Sequence, residues 1–338
     1  MKILVTGSAG FIGSALAEKL AGRGHEVSGI DNLNTYYTPA LKTSRLRRGG
    51  FNFASPEEIE DKKEYKSNIY PALFFIKTDI TDREDMERLF AENRFDCVIN
   101  LAAQAGVRYS IENPFTYMKN NMEGFLVLLE CARHYPPKHF IYASSSSVYG
   151  GNSKAPFSED DKVDNPVSLY AATKKSNELM ACVYSRLYEF PCTGLRFFTV
   201  YGPHGRPDMA PMLFSDAILK GEKIKVFNHG DMMRDFTYID DITEGVAVIA
   251  EKGPLKKNGS VVYNIGRGHA ENLLYFIRLL EKEFGKEAPK EMLPMQPGDV
   301  PLTFADTSRL QTDYGYAPSV PLEEGVHRFA EWRKNMKS

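Results

Sequence analysis

Tyr170 and Lys174 are four residues apart in Tyr170-Ala171-Ala172-Thr173-Lys174. On a helix, positions i and i+4 share a face, so this spacing sets a phenol beside an ammonium. A phenol, with a reference pKa of about 10, is a poor base at neutral pH. A neighbouring Lys⁺ favours the phenolate, and so does the positive ring of an oxidised nicotinamide. Such a phenolate can take a hydroxyl proton while hydride leaves the same carbon. By itself the pattern is common, and an amphipathic helix can carry a Tyr and a Lys by chance. A second element narrows it. Ser144-Ser145-Ser146-Ser147-Val148-Tyr149-Gly150 follows the apolar run Phe140-Ile141-Tyr142-Ala143, which reads as a strand. Ligands bind at the carboxyl ends of strands in open α/β sheets. Ser145 is therefore expected to hydrogen-bond the reacting oxygen and relay its proton to Tyr170, with Ser146 beside it against substrate.

The nicotinamide has its own signature. Gly7-Ser8-Ala9-Gly10-Phe11-Ile12-Gly13 lies between the apolar run Ile3-Leu4-Val5-Thr6 and a stretch of helical periodicity over 11–22. Glycines there permit a tight turn and let a pyrophosphate reach the helix N-terminus, whose amides favour anions. Gly7, Gly10, Phe11, Ile12 and Gly13 are the expected phosphate-side residues. The context adds an acid about twenty residues on, Asp31, at the end of a second strand. A carboxylate there accepts the adenosine ribose hydroxyls and repels a 2′-phosphate, which selects NAD over NADP. Asn32 adjoins it. Asp79 and Ile80, at the next strand end, are placed for the adenine edge, although Asp79 alone equally suits a helix cap.

The elements that must position these groups alternate. Strands are expected at 3–6, 26–30, 73–77, 97–100 and 140–143, with helices at 11–22, 83–92 and 120–134 between them. Alternation of this kind builds βαβ units and a parallel sheet. The fold class is α/β, a doubly wound sheet with a smaller C-terminal α/β lobe. Residues 1–200 with 236–266 are assigned to the nucleotide-binding domain, and 201–235 with 267–335 to the substrate lobe, ending in a helix near 322–335. The segment 34–70 is long for a β-to-α connection. It holds a short helix near 39–48 and reads as a mobile flap near the cofactor.

The bulk properties exclude several classes. A net charge of −2 in 338 residues, without a basic stripe, argues against nucleic acid. The four cysteines form no CxxC pair and read as reduced thiols; no metal is expected. No apolar run is long enough to span a bilayer, and the glycine motif begins too early to leave room for a signal peptide. A soluble cytoplasmic protein is the expectation.

Glycine motif, Asp31, serine run and Tyr-Lys pair, in this order, resemble the extended short-chain dehydrogenase/reductases, the family of nucleotide-sugar epimerases and dehydratases. The resemblance covers nearly the whole chain. It implies a tightly held NAD, with Leu101, Ala102, Ala103 and Asn121 on the cofactor side. It also implies a homodimer built from helices near 112–134 and 170–188, and a UDP-sugar in the C-terminal lobe. A redox-sensing regulator that binds NAD without chemistry is the reading from another class; such proteins typically lack the Tyr-Lys pair.

Members of the family oxidise C4 of the sugar and then dehydrate, decarboxylate or epimerise it. Dehydratase-like sequences carry Asp-Glu before the Val-Tyr-Gly step, where this chain has Ser146-Ser147. Decarboxylase-like sequences usually carry Glu at the position of Ser147. Serine cannot replace a carboxylate at neutral pH, which leaves 4-epimerisation. The blocks 31–37, 101–110 and 196–209 depart from galactose-type 4-epimerases and are similar to UDP-glucuronate 4-epimerases. A uronate carboxylate suits a clamp of Arg206 and Thr199. Outside that likeness, Arg206 also fits a surface cation. Arg234 resembles the family's diphosphate-binding arginine, Gln296 stands where galactose-type enzymes have another arginine, and Phe227 joins the expected substrate contacts. Epimerases of UDP-glucose/UDP-galactose or their N-acetyl forms remain the alternative.

Overall fold

A computed structural model describes residues 1–296 and 298–336. Its centre is an eight-stranded sheet. Seven of its strands are β1 (Lys2–Thr6), β2 (Glu26–Asp31), β3 (Glu64–Lys66), β4 (Leu73–Lys77), β5 (Cys97–Asn100), β6 (His139–Ser145) and β7 (Cys192–Phe197). The eighth is Ser260–Ile265. Across the sheet the order is Ser260–Ile265, β7, β6, β5, β1, β2, β4, β3. All pairings are parallel except β3 with β4.

Burial on both faces explains the near-continuous apolar strands. In β1, Ile3 and Val5 enter one hydrophobic cluster and Leu4 enters the other, as a period of two requires. Helix α1 (Phe11–Gly22) closes the first face with Leu16 and Leu20. Helix α3 (Arg83–Asn93) closes the second with Met86, Leu89 and Phe90. β1 has β2 on one side and β5 on the other, so the chain order reverses there and opens a crevice at the strands' carboxyl ends.

Two expectations change. The segment 34–70 is built into the fold rather than a flap over it. Helix α2 (Pro39–Arg48) occupies the expected 39–48, and Phe51, Phe53 and Ile59 join the main hydrophobic cluster. Arg45 of α2 is fully buried and donates to the carbonyls of Ala9 (3.1 Å) and His204 (2.8 Å). β3, absent from the sequence reading, is a three-residue edge strand, Glu64-Tyr65-Lys66. Its charges guard an open edge and leave no alternating apolar signal. The expected helix over 120–134 also begins differently. A π-helical turn, Met118–Glu123, leads into an α-helix at Gly124–His134. The wider turn changes the phase of the residues and coincides with the buried Asn121.

Beyond β7 the chain forms short pairings, Thr199–Tyr201 with Phe236–Tyr238, and Met233–Arg234 with both Glu271–Asn272 and Leu302–Thr303. Helices Ala210–Lys220, Leu273–Phe284 and Leu322–Asn335 cover them. One cluster runs without interruption from Ile3 to Phe329, so both parts of the chain share a core. Among the described residues no helix is long and apolar enough to cross a membrane.

Candidate active site

The crevice beside β1 is a cleft of about 380 Å³, lined from Gly7 to Met209. Its floor is the glycine turn. Gly7 has φ +70°, and a Cβ on it would stand 2.9 Å from Ala102 N; one on Gly13 would stand 2.1 Å from the Gly7 carbonyl oxygen. The turn thus packs against the end of β5, and α1 packs against the turn. Any larger residue at 13 forces them apart. The N-cap of α1, Gly10, offers no side-chain acceptor, and the first turn carries no acid. Its amides face the cleft unneutralised, as an anion site requires. The Thr6 hydroxyl donates to Asn100 Oδ1 (2.5 Å) and accepts from Ala102 N (3.0 Å), which holds Leu101, Ala102 and Ala103 along the wall.

Asp31 ends β2 with its carboxylate buried. It accepts from Ala9 N (3.2 Å) and Leu33 N (2.8 Å) and pairs with Lys42 Nζ at 3.2 Å. Asn32 and Ile80 also line the cleft, while Asp79 stands behind them. Asp79 accepts from Asn32 Nδ2 and from the Thr81 amide and hydroxyl (2.8–2.9 Å). Burial works to raise its pKa, but these hydrogen bonds win and hold it below the ordinary range. It is not the cap of α3; Asp82 is, accepting from Asp85 N at 3.1 Å. Asn121 likewise stays off the wall. It clamps the Gln104 amide (2.7 Å) and carbonyl (3.0 Å) and donates to Thr173 Oγ1 (3.1 Å). It acts by fixing the loop that lines the cleft.

Tyr170 lies in the first turn of helix Leu169–Leu187, whose N-cap Ser168 accepts from Ala171 N at 3.1 Å. One turn on, Lys174 Nζ donates to the Ala143 carbonyl of β6 (2.9 Å) and lies 6.0 Å from the Tyr170 ring centroid. Ser145 ends β6; its hydroxyl donates to Ser147 Oγ (3.1 Å) and accepts from Ser147 N (3.2 Å). Tyr170, Lys174, Ser145, Ser146, Thr199 and Arg206 all line the one cleft.

A buried ion pair sets the helix against β6. Glu178, two turns beyond Tyr170, accepts from Arg196 Nε (2.8 Å) and Nη2 (2.9 Å) and from Ser144 Oγ (2.7 Å). Arg196 also donates to the Tyr149 hydroxyl (3.0 Å), which donates to Asn264 Oδ1 (2.7 Å). Ser144 is therefore tied to the helix that carries Tyr170, and Ser145 is its neighbour.

The electrostatics depart from the sequence reading. Burial pulls Lys174 down to about 8. Tyr170 lies above its ordinary value, because enclosure raises it more than the neighbouring Ser145 hydroxyl and the Arg206 charge lower it. Two side-chain cations bear on the phenol, Arg206 through its charge and Lys174 from over the ring. Lys174 spends its nearest contact on the Ala143 carbonyl.

Phe227, Arg234 and Gln296 do not line this cleft. Phe227 instead meets Arg108, whose guanidinium lies 5.2 Å from its ring centroid and pairs with Asp299 at 3.3 Å. Arg234 donates to the Met233 (2.9 Å) and Pro301 (3.2 Å) carbonyls, and the buried Gln296 Oε1 has no hydrogen-bond partner among the described residues. Lys42, Tyr36 and Arg108 were not singled out from sequence. Each acts on a residue remote in the chain, a relation no local spacing displays.

The model of the NAD dependent epimerase/dehydratase family matches residues 3–266. Protein CapI of Staphylococcus aureus is 48% identical over 98% of each chain. The probable UDP-glucuronate 4-epimerase of Rhizobium meliloti is 43% identical, covering 98% of this chain and 96% of its own. The crystal structure of UDP-glucuronic acid 4-epimerase from Bacillus cereus, in complex with UDP-glucuronic acid and NAD, superposes over 100% of both chains with a TM-score of 0.88 and 36% identity. With its uncapped glycine turn, strand-end Asp31 and Tyr-Lys helix in one cleft, the chain belongs to the NAD dependent epimerase/dehydratase family.

Proposed function

We propose that this chain is a UDP-glucuronate 4-epimerase, interconverting UDP-glucuronate and UDP-galacturonate through a 4-keto sugar. One observation carries the reading: Arg206 and Thr199 line the cleft that holds Tyr170, Lys174 and Ser145, with serines at 146 and 147. That is a carboxylate clamp beside an oxidation centre lacking the acid needed for dehydration. Relatives and a solved neighbour with UDP-glucuronate in their names support the choice of sugar.

The glycine turn, the free α1 amides and the buried Asp31 fit NAD. When bound, NAD supplies the hydride acceptor and donor at C4. The chain's residues do the rest. Tyr170 takes the C4 hydroxyl proton and returns it, and Ser145 hydrogen-bonds that oxygen. Lys174 orients the phenol and supplies positive charge. Gly7, Gly10, Phe11, Ile12 and Gly13 receive the pyrophosphate, and Asp31 and Asn32 the ribose. Ile80 and Leu101 to Ala103 pack along the cofactor, with Asp79 and Asn121 fixing the walls. Ser146, Thr199 and Arg206 hold the uronate, while Phe227, Arg234 and Gln296 take the uridine diphosphate. The division at 200, with 236–266 returning to the nucleotide-binding part, follows from these roles.

A homodimer completes the proposal. Phe115 (83% exposed), Ile111 and Met118 precede the Gly124–His134 helix, and Leu179, Val183 and Leu187 stud the helix of Tyr170. So many exposed apolar side chains on neighbouring helical segments fit a subunit interface. Four free thiols fit a reducing cytoplasm.

The deciding experiment incubates the protein with UDP-glucuronate, UDP-glucose or UDP-N-acetylglucosamine and reads products by NMR. UDP-galacturonate from the first, at the highest rate, is the expected result. Faster turnover of either neutral sugar refutes the reading.

A further inference from the structure

The segment 34–48 leaves β2 beside the ribose-side acid and ends beneath the loop that carries Arg206. Its helix α2 is anchored on both sides. Lys42 pairs with Asp31 at 3.2 Å, and Arg45 donates to the His204 carbonyl at 2.8 Å. Ahead of that helix Tyr36, on the cleft wall, donates its hydroxyl to Asp208 Oδ2 at 3.0 Å. Asp208 in turn grips Arg206 side-on, taking Nε on Oδ1 (3.0 Å) and Nη2 on Oδ2 (2.5 Å). This fork leaves Nη1 uncommitted. Arg206 and Tyr36 line the cleft, whereas Asp208 stands behind them, outside its lining.

The Tyr36 ring is itself seated. It lies 4.8 Å from the Tyr109 ring centroid, and a Cβ on Gly106 would come within 2.9 Å of its hydroxyl. Burial and the Asp208 charge both hold the Tyr36 phenol in its neutral, donating form. Burial alone would raise the Asp208 carboxyl, but Arg206 and Tyr36 keep it below its ordinary value and so ionised.

We propose that Tyr36 and Asp208 are positioning residues that hold Arg206 for the substrate's carboxylate, making the 34–48 segment the part of the cofactor wall that selects uronates. The inference rests on the uronate reading above. An arginine carries several rotatable bonds, and a fork held from behind removes that freedom before substrate arrives. Asp208 does this without entering the cleft, so its charge does not face the incoming carboxylate directly. Tyr36 fixes Asp208 in turn. The length of the segment thus has a use: it spans from the ribose acid to the clamp.

The test compares wild type with Asp208→Asn, Asp208→Glu and Tyr36→Phe. KM and kcat are measured for UDP-glucuronate, and the inhibition constant for UDP, which has no uronate. Asp208→Asn should raise KM about fivefold, the upper range for a partly exposed ion pair, and leave the UDP constant and kcat nearly unchanged. Tyr36→Phe should raise it less, and Asp208→Glu should recover part of the loss. Unchanged KM in both Asp208→Asn and Tyr36→Phe overturns the inference, as does a parallel rise in the UDP constant, which marks general damage to the site. Tighter UDP-glucuronate binding in Asp208→Asn also overturns it, since Asp208 would then be a competitor for Arg206. A wild type that converts UDP-glucose but not UDP-glucuronate refutes the uronate reading and this inference with it. Wild-type turnover of UDP-glucuronate with indifferent variants removes the roles of Tyr36 and Asp208 alone.

Discussion

Glu178→Gln separates structural positioning from chemistry. Both partners of the Glu178–Arg196 pair are nearly dry, with side-chain exposures of 5% and 4%. The carboxylate accepts two hydrogen bonds from Arg196 and one from Ser144. An amide presents a donor to one of these donors and leaves the guanidinium charge uncompensated. Breaking one side of a buried pair costs about 3–5 kcal/mol. Unfolding entropy near 2.1 cal/mol/K per residue gives roughly 0.7 kcal/mol/K for a chain of this length, so Tm should fall by about 4–7 °C. Scanning calorimetry with NAD content matched between samples measures it, because bound cofactor shifts Tm by mass action. Turnover should fall as well, by about tenfold in kcat, since Ser144 loses its tie to the Tyr170 helix and Ser145 follows. The double variant Glu178→Leu with Arg196→Met removes both charges and should regain most of the Tm while kcat stays low. A Glu178→Gln Tm within about 1 °C of wild type, a change expected of an exposed surface substitution, refutes the argument.

Tyr170→Phe should lower kcat by at least about 100-fold while calorimetric binding of UDP-glucuronate persists; near-normal turnover ends its role as base. Arg206→Ala should lower turnover of UDP-glucuronate and release a larger share of UDP-pentose, because the 4-keto uronate is a β-keto acid and a freed carboxylate can align its C5–C6 bond for loss of CO₂; NMR showing no pentose and unaltered turnover counts against the clamp. His139 and His204 are held at about 4 by burial, with a cationic contribution from Arg48 and Arg45 at His204. Unfolded, each titrates near 6.5, so between about 6.5 and 4 the unfolded chain binds more protons and stability falls as pH drops; urea titrations should show a shallower fall in His139→Gln. Phe115→Glu with Leu187→Glu should convert a dimer to a monomer in sedimentation velocity, and a wild type that sediments as a monomer refutes the interface.

What was legible in the sequence is what backbone geometry demands locally. Gly7 and Gly13 had to be glycine because Ala102 and the Gly7 carbonyl crowd their Cβ positions, and that need leaves a spacing any reader can find. Asp31 and the Tyr170–Lys174 pair have fixed offsets from strand and helix for the same reason. Lys42, Tyr36 and Asp208 have no such offset. Tyr36 and Asp208 meet only because the chain after β2 and the chain after Tyr201 converge at one mouth. Glu178 is worse placed for detection: in an amphipathic helix a Glu beside Lys175 reads as solvated surface, and only the partner 18 residues on, inside β7, buries it. Asn121 was found by resemblance, but its task came from a π-turn that no periodicity announces.

The two cations of the cleft divide the work differently from the pattern that suggested it. Lys174 is adjacent to Tyr170 by spacing, yet burial brings it down to about 8 and its ammonium faces the Ala143 carbonyl. Arg206 is 36 residues away by number, yet its charge acts on the phenol. The guanidinium proposed to hold a uronate therefore also bears on the base. A carboxylate bound to Arg206 offsets that charge and works against the phenolate, so a uronate substrate needs more help at Tyr170 than a neutral sugar does. Ser145, in the same cleft, is placed to give it, since its hydroxyl is the other influence that lowers the phenol. Serine at 145 should accordingly matter more to this chain than to a relative acting on neutral sugars, and Ser145→Ala should move the pH profile of kcat upward as well as lower it. A reduced rate with an unmoved profile would assign Ser145 to binding alone.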